Sequence, residues 1–145
     1  MNIKIIANVS KLSLASNGAI QEYSKRLSRY CKFNFYPYKK EKDAIKHLSS
    51  SATIFLVTPS KETLSSEELA KTIEYLGVSG QSDLLFLIGF SQQWIDETLR
   101  SNEQYQKIET LSISSLTFSA SLASAVLSEQ IYRAYRILNK EPYHK

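Results

Sequence analysis

One cysteine in 145 residues, Cys31, rules out an intramolecular disulfide and any metal site built on paired thiolates, which leaves packing as its role. Only four glycines are present, and none belongs to a glycine-rich phosphate loop, so a nucleotide-binding flavodoxin-like module is set aside. No apolar run approaches the ~18 residues that a helix needs to span a bilayer, and no membrane contact is expected. Residues 1–7 alternate apolar side chains with Asn2 and Lys4 and lack the basic start and long apolar stretch of a signal peptide. They read as a first strand, in a cytoplasmic protein. Long acidic and low-complexity tracts are missing too, so a folded globular body is expected. What the sequence does have is 43% hydrophobic and 22% charged residues, with 18 basic against 14 acidic. The net charge of +4 favours an anionic partner. The length suits one core, and no repeat or linker divides it, so residues 1–145 are read as a single domain.

Apolar, β-branched or aromatic runs at 3–9, 33–38, 53–57 and 84–88 have the length and composition of strands. Residues 18–30 carry Ile20, Tyr23, Leu27 and Tyr30 at helical spacing, with Lys25, Arg26 and Arg29 on the other faces. Residues 65–76 open on Ser-Ser-Glu-Glu, a capping-box pattern, and Gly77 and Gly80 are read as ending that helix. A fifth short strand is expected over 110–113. It is followed by a long last helix with a core stripe of Leu127, Ile131, Ala134, Tyr135 and Leu138. Alternating strands and helices predict an α/β protein with a largely parallel sheet and helices on both faces. In such sheets ligands bind at the carboxyl-terminal strand ends. Here these are followed by Thr58-Pro59-Ser60-Lys61 and Gly89-Phe90-Ser91.

Four stretches carry a resemblance to a known family. They are Glu22-Tyr23-Ser24-Lys25-Arg26-Leu27, Leu64-Ser65-Ser66-Glu67-Glu68-Leu69-Ala70, and Gly80-Gln81-Ser82-Asp83 leading into Ile88-Gly89. The last is Glu129-Gln130-Ile131-Tyr132-Arg133-Ala134-Tyr135, closing on Pro142-Tyr143-His144-Lys145. In order and spacing they resemble the RlmH family, SPOUT-class enzymes that methylate a pseudouridine of large-subunit ribosomal RNA. The resemblance implies a carboxyl-terminal deep trefoil knot, an exception to the rule that chains are unknotted. It also implies a homodimer, S-adenosyl-L-methionine as cofactor, and the ribosome or its large-subunit RNA as partner. Carried over position by position, the cofactor loops are Leu56, Val57 and Thr58, then Ile88 and Gly89, then Leu111, Ser112, Ile113, Ser114, Ser115 and Leu116. Tyr143 and His144 match the tail assigned to catalysis, and Arg133 and Lys145 are candidates for RNA contact. The implied function is methylation of N3 of a pseudouridine in 23S ribosomal RNA. No metal is implied.

The chain also departs from that pattern. Phe90 stands where the family has a second glycine, putting a β-carbon where the backbone would approach the cofactor or turn with positive φ. The family's Pro-His-x-x-x-Arg at the start of the last helix is replaced by Ser119-Ala120-Ser121-Leu122-Ala123-Ser124, so an imidazole and a guanidinium are gone. The small residues of 119–125 would fill a tightened interface instead. Residues 39–50 are shorter than the family's stretch. These losses keep a second function open, a catalytically silent knotted dimer with a cofactor-binding, RNA-binding or regulatory role. Residues Lys25, Arg26, Arg29, Lys32, Lys39 and Lys40 are read as a sequence-independent electrostatic footprint. Trp94 is assigned to core or dimer interface, and His47, read as decorating a helix end, is given no role. The terminal three residues are expected to contribute little to the fold.

Overall fold

The computed structural model describes residues 1–143. Its centre is β4 (Asp83–Ile88), whose Leu-Leu-Phe-Leu-Ile run is apolar at every position because both faces are covered. On one side it pairs with β1 (Asn2–Asn8) and on the other with β3 (Thr53–Val57). β2 (Lys32–Tyr38) flanks β1, and β5 (Ile108–Leu111) flanks β3. Every pairing is parallel and the strand order is β2-β1-β4-β3-β5. In register, Ile5 and Phe55 both lie opposite Phe86, and the Phe55 and Phe86 rings stack at 5.0 Å.

The two faces are covered unequally. One carries Ile3, Ile5, Phe33, Phe55 and Phe86 and is closed by α1 (Leu14–Leu27), α2 (Ser66–Val78) and α4 (Ala120–Leu138). Leu127 and Ile131 of α4 are fully buried there, each worth roughly 1.5–3 kcal/mol. The other face carries Ile6, Ile54, Leu85 and Leu87. Its cover is thinner: a 3₁₀ segment, Glu41–His47, and α3 (Gln92–Ile95), which runs on into a π turn, Asp96–Arg100.

Local chemistry moves several boundaries from their sequence expectations. The first helix starts four residues early, because the Ser13 hydroxyl accepts the Ser16 N–H as a cap and the exposed Gly18 sits inside the first turns. The second shows the full capping box of Ser65 and Glu68. Gly77 lies within α2 rather than ending it, and Gly80, at φ +87°, makes the turn that follows. The fifth strand is shifted to Ile108–Leu111, since the Ser112 hydroxyl donates to the Ser114 carbonyl and the chain leaves the sheet there. The small residues of α4 serve this chain's own packing. Ser124 and Ser128 are fully buried, donating to the carbonyls of Ala120 and Ser124, and Ser121 takes the Ser13 N–H at 3.1 Å.

Candidate functional site

Parallel strands deliver all their carboxyl ends to one edge of the sheet, and the ends of β3 and β5 are stitched together here by three hydrogen bonds. The Thr58 N–H donates to the Leu111 carbonyl at 3.0 Å, Ser60 N–H to Ser114 at 3.3 Å and Leu64 N–H to Ser112 at 3.0 Å. Between these loops and the start of α4 opens a cleft of about 300 Å³, at the small end of the range for small-molecule sites. Leu56, Val57, Thr58, Ile88, Gly89, Ile113, Ser114 and Leu116 line it, joined by Phe90, Phe118 and Ala120. Of the other expected cofactor residues, Leu111 and Ser112 are buried beneath the loop and Ser115 is exposed beside the lining.

Gly89 explains why one glycine is needed at the rim. Its φ is +83°, and a β-carbon there would stand 2.8 Å from the Asn8 carbonyl oxygen and 3.1 Å from the Ala120 Cβ. Phe90, by contrast, is not among the positive-φ residues, so its β-carbon introduces no backbone strain. Its ring packs on Trp94 with centroids 4.5 Å apart, which forms one wall of the cleft.

Arg100 is a lining residue that the sequence did not point to, and among the described residues it is the one charged side chain lining the cleft. It is placed by the π turn, in which the Ser101 N–H reaches back to the Asp96 carbonyl. That turn buries Leu99 completely. Asp96 lies 3.9 Å from the Arg100 Nε with both side chains half exposed, a loose pair, and accepts a closer hydrogen bond of 2.8 Å from Gln92.

The tail residues are elsewhere. Arg133 follows Ala120 by thirteen positions on α4, about 20 Å along the axis, so this end of the helix does not flank the cleft of its own chain. There Arg133 pairs with Glu129 at 2.6 Å and lies over the Tyr143 ring at 4.8 Å, while the Tyr143 hydroxyl donates to Glu129 at 3.1 Å. Burial, a hydrogen bond with Tyr23 and the Glu129 carboxylate push the Tyr143 phenol well above its ordinary value. It is a proton donor at neutral pH, not a base. A second knot of contacts fixes the approach to the tail: Glu141 accepts from Tyr30 at 2.7 Å and from Arg136 at 2.8 Å. His144 and Lys145 lie outside the described residues. Burial raises the Cys31 thiol, in keeping with a packing role. Among the described residues no cluster of His, Cys, Asp and Glu can hold a metal ion, and no helix is long and apolar enough to cross a membrane.

Comparison with known proteins extends over the whole chain. The family described as "Predicted SPOUT methyltransferase" matches residues 1–144. The chain is 41% identical over 145 residues to "Ribosomal RNA large subunit methyltransferase H 1" of Thermoanaerobacter sp. (strain X514), with all of both chains covered. It is 38% identical over 164 positions to "Ribosomal RNA large subunit methyltransferase H" of Clostridium botulinum (strain Eklund 17B / Type B), again over all of both chains. Identity to "Putative ribosomal RNA large subunit methyltransferase H" of Methanococcus maripaludis (strain C5 / ATCC BAA-1333) is 34% over 164 positions and both full lengths.

Proposed function

Because the chain belongs to the SPOUT methyltransferase family, we propose that it is a methyltransferase of large-subunit ribosomal RNA, methylating N3 of a pseudouridine. The observation that carries this is the cleft at the carboxyl ends of β3, β4 and β5, lined by most of the residues that the resemblance implies for the cofactor loops. Its lining mixes apolar and polar side chains, which suits S-adenosyl-L-methionine: the adenine ring offers an apolar face, the ribose and amino-acid parts are polar, and the one anionic group is a carboxylate. Backbone and side chains of Leu56, Val57, Thr58, Ile88, Gly89, Ile113 and Leu116 would hold the adenosyl part, with Arg100 facing the carboxylate. When bound, the cofactor supplies an electrophilic methyl on sulfur. The chain's task is then to orient the acceptor nitrogen in line, exclude water and accept a proton. The implied knot belongs to this reading, as do a single folded unit and a cytoplasmic location beside the ribosome.

The active form is a homodimer. Leu14 is 91% exposed, Leu116 69% and Leu122 48%, a group of leucines around the Ser13–Ser121 contact and the cleft mouth that a second copy would cover. Since Arg133, with Tyr143 against it, sits ~20 Å along α4 from its own cleft, a partner's tail, with His144 and Lys145, would complete the site. A catalytically silent dimer is the second reading, favoured by one observation. At the start of α4, Ala120 packs on Gly89 and Ser124 is fully buried, so neither presents a polar group to the cleft. Tritiated methyl incorporation into ribosomes lacking the modification, with calorimetric titration of the cofactor, decides between the two. Incorporation establishes the enzyme. Saturable cofactor binding without incorporation establishes the silent dimer, and a monomer in sedimentation at micromolar concentration overturns the dimer.

A further inference from the structure

A ribosomal RNA must lay its backbone beside the cleft that receives its nucleotide, yet the arginines of α4 stand at the far end of their own chain. The segment after β2 lines none of the cleft but is tied to its rim. Asn8, at the end of β1, donates through Nδ2 to the carbonyls of Tyr38 and Lys39 at 3.2 and 3.1 Å. The Asn8 carbonyl is also the group against which Gly89 is seated. Two residues further on, the Glu41 carboxylate accepts the Ser91 N–H at 2.6 Å and the Ser91 hydroxyl at 3.0 Å. Residues 39–47 are thereby clamped to the Gly89-Phe90-Ser91 rim.

What this segment offers is cationic and aromatic. Lys39, Lys40, Lys42 and Lys46 are all exposed, and among the described residues none of them makes an ion pair. Of the two acids in the segment, Glu41 is occupied by Ser91, and Asp43 forms no ion pair among the described residues. Next to Lys46 lies a tier of rings: the His47 imidazole stacks on Tyr36 at 4.0 Å and 19°, and its Nε2 meets the Tyr38 hydroxyl at 2.6 Å. Lys46 Nζ is 5.0 Å from the Tyr38 ring centre. Lys ammonium groups are flexible point charges suited to phosphates without regard to sequence, and aromatic rings beside them suit unpaired bases.

We infer that the lysines of residues 39–47, with the Tyr36–His47 tier at the end of that segment, are the seat of the substrate RNA's backbone beside the rim of this chain's own cleft. The inference rests on the reading of the protein as an RNA methyltransferase and adds where the RNA lies. An RNA loop, with splayed bases and accessible phosphates, is the class of ligand that such a surface takes.

The test is retention of purified large-subunit ribosomal RNA on filters by the full-length protein between 50 and 200 mM salt. It compares the natural chain with a Lys39→Ala, Lys40→Ala, Lys42→Ala triple variant and with the corresponding triple arginine variant. Each lysine lost from single-stranded phosphate should reduce the slope of log affinity against log salt by about 0.7, so the alanine triple should lose roughly 2 in slope. Affinity at 100 mM salt should fall by about tenfold or more, and the arginine triple should restore both. Cofactor affinity by calorimetry should be unchanged in all three. An unaltered slope overturns the inference, as does a loss seen only with assembled ribosomal subunits, which would set the lysines against a ribosomal protein. RNA binding with the expected slope loss, in a chain that transfers no methyl group, would sustain this surface while the enzyme reading failed.

Discussion

The Tyr143 hydroxyl donates a hydrogen bond to Glu129, fourteen residues earlier on α4, and so folds the end of the chain back onto the helix that leads to it. Its ring also meets Tyr132 edge-on at 5.0 Å. The tail therefore contributes to the fold, contrary to what its terminal position suggests. Tyr143→Ala should cost about 1–3 kcal/mol, from a lost aromatic pair and a hydrogen bond to a carboxylate, and Tyr143→Phe about 1 kcal/mol. Calorimetric melting checks this; an unchanged Tm for the alanine variant would show that the contact carries no stability.

Gly89→Ala is expected to be disproportionately harmful for a single methyl group. The left-handed φ alone costs about 1–2 kcal/mol, and the added carbon collides with the Asn8 carbonyl, which is backbone and cannot turn aside. Thermal stability should fall and cofactor affinity with it. Phe90→Gly makes a contrasting pair: it removes the Trp94 contact and loosens the wall, and no relief of backbone strain should offset that loss. Melting curves and cofactor titrations of the two variants test the contrast.

If Arg100 faces the cofactor's carboxylate, Arg100→Gln should weaken S-adenosyl-L-methionine binding by about tenfold, the worth of one charge-assisted hydrogen bond at a half-exposed position. 5′-Methylthioadenosine has no carboxylate, so its affinity should not change. Equal losses for the two ligands in calorimetry would place Arg100 against the adenosyl part instead.

His47 is held below its ordinary protonation range by burial first, then by Lys4 and Lys46. A depressed histidine means that the unfolded chain takes up protons more readily than the folded one. The stability it contributes is present above the unfolded value of about 6.5 and is lost as pH falls through the lower folded value. His47→Gln should flatten the dependence of Tm on pH between about 5 and 7, relative to the natural chain. A parallel pair of curves would remove His47 from the account.

The central strands were legible because β3 and β4 are apolar at nearly every position, a pattern that few other structures tolerate. The rim of the cleft followed from them, since strand ends in parallel sheets fall on one edge. Arg100 was not legible. It reaches the cleft through a π turn, and one extra residue per turn leaves no signature in spacing. Tyr36 and His47 were missed for a related reason: eleven positions apart, they meet only because a short 3₁₀ segment folds over the sheet. The pairing of Tyr143 with Glu129 has no local pattern at all. The serines of α4 carried an ambiguous one, since small residues allow close approach without saying whether the neighbour is the same chain.

The strand order has a consequence for how the chain is made. β3 hydrogen-bonds only to β4 and β5, and both are synthesised after it. β1 and β2 can pair early, but until residue 88 has emerged β3 has no partner, and the open side of β1 stays unsatisfied. β4 must then enter between two strands that precede it, and β5 must close the far edge of the sheet. Long-range parallel pairing of this kind is slow, and unpaired apolar edges are prone to association while they wait. The central strand of the sheet is thus among the last pieces of this chain to be seated.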